Sequence, residues 1–271
     1  MNWIESLILG IVQGLTEFLP VSSSGHLTIG QELLKLNTSA AENLQFDIAV
    51  HAATVLSIIV VLWSEISRLF KGTFFSTKWN EEKIYVAKIF ISMIPVIIVG
   101  ILFKEKIESL FEGLLVVGCC LMVTALLLTF AHYAKPRQRE TISYGHAFII
   151  GIVQAIAVLP GLSRSGSTIA AGLLLGNKKE EVAKFSFLMV LIPILGMASM
   201  SLLKAIKHSE MASTGGDFFP LMIGFLAAFI VGCFACKYMI NLVKRGKLIY
   251  FAIYCAIIGA VSIIYHFAHT T

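Results

Sequence analysis

The chain has 271 residues, of which 57% are hydrophobic and only 14% are charged, and its formal net charge is +5. A soluble domain of this length carries roughly a quarter charged residues, so the composition excludes an ordinary globular domain and predicts a protein embedded in a lipid bilayer. The basic residues fall mostly in short loops between apolar runs, so the positive charge indicates membrane orientation rather than nucleic-acid binding. We therefore expect one all-α integral membrane domain over residues 1–271. Its N-terminus lacks the features of a cleaved signal peptide, and we expect it to be retained.

The first predicted element is an apolar region, residues 3–36, that is interrupted by the sequence PVSSSG at positions 20–25. Proline removes a backbone donor and glycine loosens the chain, so the region is predicted to form two short helices joined at a turn. Each half is about 16 residues, which is short for a helix that crosses the hydrocarbon core. The sequence therefore predicts a re-entrant helical hairpin.

Three long apolar segments follow, then a second interrupted region at 144–176, broken by PGLSRSG at positions 160–166, and then three more long segments. A membrane-spanning helix needs about 20 apolar residues. The six predicted spans are Phe46 to Trp63, Ile84 to Phe103, Leu114 to Tyr133, Phe185 to Leu203, Phe218 to Cys236 and Leu248 to Phe267.

The distribution of the 21 basic residues tests this topology. If the six spans alternate and both hairpins return to the side they entered from, 14 Lys and Arg residues lie on one side of the membrane and five on the other. The positive-inside rule then makes the first side cytoplasmic and places both termini outside.

The two interrupted regions also resemble each other at a constant offset of 141 residues. The sequence GIVQ occurs at positions 10–13 and again at 151–154, Ser22 matches Ser163, and the Ser-Gly pair at 24–25 matches that at 165–166. We therefore predict two repeats, residues 1–134 and 142–271, each with one hairpin and three spans. An odd number of spans inverts the second repeat, so the hairpins enter from opposite sides and their turns meet near the membrane midplane.

The two turns bring chemically different groups together. The first offers the carboxylate of Glu17, the hydroxyl of Ser23 and the imidazole of His26, and the second offers the guanidinium of Arg164. An ionisable group at membrane depth is costly and usually marks function. The Arg164 fork suits bidentate phosphate binding, and two Ser-Gly turns that open into helices direct backbone N–H groups at an anion. The residues predicted to contact that anion are Gln13, Ser22, Ser24, Gly25, Gln154, Ser163, Ser165, Gly166 and Thr168.

Each of these residues also has a structural interpretation, which the sequence leaves open. Glu17 and Arg164 could form an ion pair that joins the hairpins, His26 could hydrogen-bond between helices, and the serines could cap turns. Ser23 is the candidate nucleophile, but the neighbouring serines compete for that role. Asp47 and His51, one turn apart at the start of a span, could border the site.

The strings QGLTEFLPVSSSGH at 13–26 and PGLSRSGST at 160–168 resemble the two signature motifs of the bacterial undecaprenyl-diphosphatase family (UppP/BacA). The resemblance covers essentially the full chain. It implies hydrolysis of undecaprenyl diphosphate to undecaprenyl phosphate and inorganic phosphate, which recycles the lipid carrier for peptidoglycan synthesis and confers bacitracin tolerance. It further implies location in the bacterial inner membrane and an active site open to the outer face.

The resemblance assigns Gln13 and Glu17 to the acidic motif, Ser23 and His26 to the chemistry of the turn, and Arg164 to a phosphate clamp. Glu17, Ser23, His26 and Arg164 are accordingly the predicted catalytic residues. Position 13 is Gln where some members carry a second Glu, which puts a two-carboxylate metal site in doubt; any Mg²⁺ or Ca²⁺ would rely on Glu17 and the substrate phosphates.

The expected partners are the lipid substrate and membrane lipids, with no nucleic acid, and the oligomeric state is left open, a homodimer being one form considered. A transporter or flippase of polyprenyl phosphates is the alternative function, because inverted hairpins that meet at the midplane also suit alternating access.

Overall fold

The computed structural model of the chain describes residues 1–36, 38, 40–103, 113–134, 139–207 and 218–270. Within these ranges every regular element is an α-helix. The β-type pairing among the described residues is one isolated bridge between Arg139 and Asn177. The helices are α1 (Trp3–Thr16), α2 (Ser23–Leu33), α3 (Ala40–Val61), α4 (Trp63–Phe74), α5 (Glu81–Leu102), α6 (Leu114–Tyr133), α7 (Tyr144–Ile156), α8 (Arg164–Leu174), α9 (Lys179–Lys207), α10 (Phe218–Arg245) and α11 (Ile249–Thr270).

Five of these helices, α3, α5, α6, α10 and α11, are long and apolar enough to cross a membrane. They coincide with five of the six predicted spans, although α3 ends at Val61 and α10 continues nine residues beyond its predicted end at Cys236. The remaining predicted span lies within α9, a 29-residue helix whose side chains from position 197 onward are outside the described residues. The all-α membrane architecture is thus confirmed, and its membrane-crossing helices are continuous.

Helix α4 was not predicted, because residues 65–83 were assigned to a basic loop. It begins directly after α3, at Trp63, and its polar and aromatic side chains alternate with a helical period. Glu65 on α4 accepts a hydrogen bond from Lys184 of α9 at 2.9 Å, while Trp63 and Phe74 remain exposed. A short helix with one polar and one aromatic face is typical of a helix that lies at the membrane surface.

The first interrupted region forms a helical hairpin, as predicted. Helix α1 is capped at its start by Asn2, whose side chain accepts from the Glu5 backbone N–H while the Glu5 carboxylate accepts from the Asn2 N–H. After the turn, α2 runs back along α1, so that Leu27 shares an apolar cluster with Leu9 and Gly30 packs against the same leucine.

The second interrupted region forms a hairpin of the same kind. Helix α7 is capped by Ser143, and α8 returns until Asn177 meets the start of α7. There the Asn177 side-chain oxygen lies 3.0 Å from His146 Nδ1. The two helices of each hairpin therefore run antiparallel, so that the hairpin ends close to where it begins. The turn of each hairpin points toward the interior of the molecule.

Each hairpin is inserted against a long helix from the other half of the chain. Helix α1 packs mainly on α10, and α7 packs mainly on α5. Glycines allow the close approach: Gly10 and Gly14 of α1 lie against the backbone of Gly224 and Ala228, and Gly151 of α7 lies against the backbone of Ser92. Small residues at such crossings let helix backbones approach closely in a membrane.

Candidate active site

The two hairpin turns have the same local construction. Helix α2 is capped by Ser22, whose hydroxyl oxygen accepts from the Gly25 N–H at 3.3 Å, and α8 is capped by Ser163, whose hydroxyl oxygen accepts from the Gly166 N–H at 3.0 Å. These pairs are equivalent in the 141-residue register, and the helices begin where the sequence predicts. Ser22 adopts φ 72°, a left-handed conformation that is costly for a non-glycine residue and is common at functional sites.

The two turns are in direct contact. Gly25 packs against the Cα of Gly161, and Gly166 packs against Pro20. The Ser165 hydroxyl donates to the backbone carbonyl of Leu19 at 3.3 Å. The two turns therefore meet, and their place at the membrane midplane stays a prediction.

Glu17 lies at the centre of this contact, and its side chain is only 6% exposed. One carboxylate oxygen, Oε1, accepts from Arg164 Nη2 at 3.0 Å. The other, Oε2, accepts from Gln13 Nε2 at 3.0 Å and from the hydroxyl of Ser23. Four residues that the sequence singled out are thus joined through one carboxylate.

A fifth group at this carboxylate is His51 of α3, whose Nε2 lies 3.8 Å from Glu17 Oε2. The Nδ1 atom of His51 lies 2.7 Å from the backbone carbonyl of Asp47, and because a carbonyl oxygen only accepts, Nδ1 carries a proton. The second nitrogen is therefore directed at Glu17. Sequence reasoning placed His51 at the border of the site, whereas the structure places it in contact with the central acid.

His26 is oriented differently from what its sequence position suggests. Its Nδ1 donates to the Ser22 backbone carbonyl at 2.8 Å, its Nε2 lies 2.8 Å from the hydroxyl of Tyr254, and its ring stacks on the Tyr254 ring. Both ring nitrogens are engaged, and among the described residues no contact joins His26 to Glu17 or Arg164. The interhelical hydrogen bond considered from the sequence is therefore present.

The other predicted anion-contacting residues divide into two groups. Some complete the turns: Ser22, Gly25, Ser163 and Gly166 through the capping bonds and packing already described, and Ser24 through a 3.4 Å contact between its hydroxyl and that of Ser22. The others, Gln154, Ser165 and Thr168, line a small cavity beside Glu17 and Arg164.

This cavity has a volume of about 10 Å³, room for about one water molecule. Its walls include Phe18, Ile58 and Phe187, so the Glu17–Arg164 pair lies between a polar surface and an apolar one. The Arg164 side chain is 21% exposed, so it is less deeply buried than its partner Glu17. Binding of a phosphate at Arg164 therefore requires the ion pair to separate or to share its donors.

The donor set for a divalent cation is small. Among the described residues no group of three His, Cys, Asp or Glu side chains could hold a metal ion, and both oxygens of Glu17 are already hydrogen-bonded. Mg²⁺ and Ca²⁺ require six or more oxygen ligands, so these residues alone do not form a resident site. A cation shared between Glu17 and substrate phosphates stays a prediction.

Chemically, the arrangement combines a cation with free N–H groups, a hydroxyl bonded to a carboxylate, and two helix N-termini that converge on one region. Such N-termini stabilise anions, and a serine that donates to a carboxylate is the arrangement expected of a nucleophile with its base. The geometry therefore suits transfer of a phosphoryl group.

Comparison with known proteins agrees with this chemistry. Residues 6–261 match the model of the family described as bacitracin resistance protein BacA. The chain is 60% identical to an undecaprenyl-diphosphatase of Parabacteroides distasonis, over 97% of this chain and 98% of that protein. It is 59% identical to the protein of the same name from Bacteroides fragilis, over the same shares, and 48% identical to that of Christiangramia forsetii, over 99% of this chain and all of that protein. With this match over almost its whole length, the chain belongs to the BacA family of bacitracin resistance proteins.

Proposed function

We infer that the chain is an undecaprenyl-diphosphatase that hydrolyses undecaprenyl diphosphate to undecaprenyl phosphate and inorganic phosphate, and so recycles the lipid carrier of peptidoglycan synthesis. The observation that carries this function is the contact of Ser23 and Arg164 with the two oxygens of one buried carboxylate, Glu17, where two helix N-termini meet. The relatives that bear this name match the chain almost end to end.

Arg164 is the proposed phosphate clamp. One of its nitrogens is bonded to Glu17 at 3.0 Å, and the guanidinium carries five N–H donors, so further donors remain for phosphate oxygens. It stands at the first position of α8, where the positive end of the helix dipole adds to its charge. Once the phosphate shares these donors with Glu17 or displaces it, the guanidinium stabilises the charge that develops on the transferred phosphoryl group.

Ser23 is the proposed nucleophile, and its contact with Glu17 is what favours it over its neighbours. The Ser22 and Ser163 hydroxyls are engaged as helix caps, whereas the Ser23 hydroxyl donates to the carboxylate. In this route the Ser23 oxygen attacks the terminal phosphorus, its proton passes to Glu17 Oε2, and the bond to the bridging oxygen breaks to release the lipid monophosphate. Water then attacks the phosphorus of the phosphoserine, the bond from phosphorus to the Ser23 oxygen breaks, and that oxygen takes back the proton held by Glu17 as inorganic phosphate leaves with the protons of the water. Direct attack by water, with Glu17 as the base, is the alternative that the tests below separate.

His51 is the proposed partner of Glu17 during the proton transfer. Because Nδ1 is held by the Asp47 carbonyl, Nε2 is the ring nitrogen that faces Glu17 and can exchange a proton with it. His26 and Gln13 contribute to the orientation of the turn and of the carboxylate. The binding roles of the other predicted residues, and a divalent cation on the substrate phosphates, are part of the proposal and await their own tests.

We also propose the full topology: six spans and two re-entrant hairpins in an inverted repeat of residues 1–134 and 142–271, with both termini outside and the site open to the outer face. Support comes from the exchange of partners between the halves. In the repeat, α1 corresponds to α7 and α5 corresponds to α10. The contact of α1 with α10 and the contact of α7 with α5 are then equivalent, each joining the first hairpin helix of one half to the same long helix of the other half. The same inverted architecture suits a lipid transporter, which is the competing function.

The deciding experiment is phosphate release from undecaprenyl diphosphate by the purified protein in detergent. The enzyme releases phosphate in stoichiometric amounts, whereas a transporter without hydrolase activity releases none. Arg164→Ala should lower kcat by about 10³-fold or more, as expected for an arginine that stabilises a phosphoryl-transfer transition state. Arg68→Ala on the exposed face of α4 is the matched control and should retain the wild-type rate. An Arg164→Ala protein that is folded and fully active would exclude the clamp.

A further inference from the structure

The first hairpin stops short of the far end of the helix against which it packs. Gly10 lies beside Gly224, and Gly14 lies beside Ala228 and Gly232, so α1 runs parallel to α10 and its turn is level with about position 235. Helix α10 continues to Arg245, ten residues or about 15 Å further. On the other side, the Pro20 carbonyl meets Cys255 of α11, so α11 also extends beyond the turn.

The space below the turn is a groove of about 650 Å³ between α10 and α11. For scale, an apolar cavity of about 150 Å³ accommodates a benzene ring. Its inner end is formed by Leu15 and Leu19 of the first hairpin, and its side walls include Leu242 and Phe251. The end nearest the catalytic turn is therefore apolar.

The mouth of the groove is polar and positively charged. Arg245 and Lys247, at the turn between α10 and α11, both line it, and so does the nearby Tyr250, whose side chain is 65% exposed. Neither Arg245 nor Lys247 has an ion-pair partner within the described part of the chain. By contrast, the adjacent Lys244 is paired with Glu180 at 2.8 Å.

We propose that this groove binds one anionic membrane phospholipid, with its phosphate on Arg245 and Lys247 and an acyl chain directed toward Leu15 and Leu19. The cations lie at the end of α10, on the side of the membrane that the charge distribution predicts to be cytoplasmic, so the topology predicts them near the phospholipid phosphates. Basic residues at that interface attract anionic lipids. The apolar inner end adds a surface against which an acyl chain can pack, which charged residues alone do not offer. The lipid fills the space that a re-entrant hairpin leaves beneath its turn, and the groove shares no lining residue with the cavity beside Arg164.

The test is native mass spectrometry of the full chain in detergent, titrated with phosphatidylglycerol or with phosphatidylcholine. Wild type should retain one phosphatidylglycerol and release phosphatidylcholine. The double variant Arg245→Gln/Lys247→Gln should bind phosphatidylglycerol about 10- to 30-fold more weakly, since each basic residue at a membrane surface contributes roughly one kcal/mol. The control Lys71→Gln/Lys78→Gln removes two exposed charges from the same predicted side and should retain the lipid.

A second variant separates the groove from its charged mouth. Asn241→Trp places a bulky ring in the wall of the groove and leaves both cations in place, so it should also lose the bound phosphatidylglycerol. Unchanged retention in either groove variant, or equal retention of phosphatidylcholine by wild type, would overturn the proposal. Preferential retention of undecaprenyl phosphate over phosphatidylglycerol, lost in the same variants, would assign the groove to the reaction product instead and would equally overturn it.

Discussion

The turns of the two hairpins share a scaffold and differ in chemistry. Each begins its second helix with a serine that caps the N–H of a glycine three residues later. At the position after the cap, however, the first turn carries Ser23 and the second carries Arg164. The comparison teaches that the backbone supplies two matched helix starts, while the side chain at the position after the cap makes one turn present a hydroxyl and the other a cation.

A large effect in the first turn is expected from Glu17→Gln. The amide keeps the size of the side chain but cannot take the proton of Ser23, and it leaves Arg164 without its anionic partner. Loss of a general base typically costs 10²- to 10⁴-fold, so we expect kcat to fall by that order. Steady-state phosphate release measures it, and Glu5→Gln in the cap of α1 is the control. A rate within threefold of wild type would remove Glu17 from the chemistry.

Ser23→Ala distinguishes covalent attack from direct attack by water. If Ser23 is the nucleophile, the rate should fall by at least 10³-fold, because no other described hydroxyl donates to Glu17. Ser24→Ala is the neighbouring control and should change the rate only a few fold. A Ser23→Ala enzyme with full activity would favour the route through water, and a phosphorylated peptide recovered from rapidly quenched wild type would establish the covalent one.

Substitution of the two histidines, His51 and His26, should have smaller effects on the rate, and the two effects should differ. His51→Gln retains a hydrogen-bonding side chain but cannot be protonated, so we expect about a tenfold loss of kcat and a changed acid limb in the pH profile of kcat/KM. His26→Gln, which loses its contacts with Ser22 and Tyr254, should change the rate less and leave the shape of the pH profile intact. If instead His26→Gln alters the pH profile and His51→Gln does not, the roles proposed here are reversed.

The smallest effect concerns the shared scaffold itself. Ser163→Ala removes the capping hydrogen bond of α8 at 3.0 Å, and Ser22→Ala removes that of α2 at 3.3 Å. Each should lower the free energy of unfolding by about 1 kcal/mol, the usual contribution of an N-cap. Thermal unfolding in detergent compares the two variants, with Ser143→Ala at the cap of α7 as a reference. If the free energy of unfolding fell in only one of the two variants, the caps would be equivalent in geometry but would differ in their contribution to stability.

The hairpins were predictable because the signals that form them are local. Pro20 and Gly161 interrupt the apolar runs, and the serines at positions 22 and 163 precede the helices they cap. Helix α4 was missed because it is short and carries polar and basic residues, which are typical of a loop between two spans. The predicted span ended at Cys236 because only the apolar residues were taken to form it. Helix α10 continues for nine more residues because a helix can extend beyond the apolar region into polar sequence.

The members of the site that depend on tertiary packing were harder to rank. His26 was favoured because it follows the Ser-Gly turn, but the direction of α2 points its ring at Tyr254 of α11. His51 lies 34 residues after Glu17 in sequence, and only the packing of α3 beside α1 brings its Nε2 to 3.8 Å from the carboxylate. Local motifs identified the turns, whereas the neighbours supplied by other helices required the structure.

The glycine contacts of the two hairpins set a mechanical tolerance for the whole site. Gly10 and Gly151 occupy equivalent positions, and at each a Cβ would overlap a backbone carbonyl oxygen of the opposing helix, that of Gly224 or that of Ser92. Neither oxygen can rotate away as a side chain would, so one added methyl group must displace a hairpin. A shift of about 1 Å at reacting groups can cost about a hundredfold in rate. The absence of a side chain at Gly10 and Gly151 is therefore a condition for the position of each turn, and with it for the contact between Glu17 and Arg164.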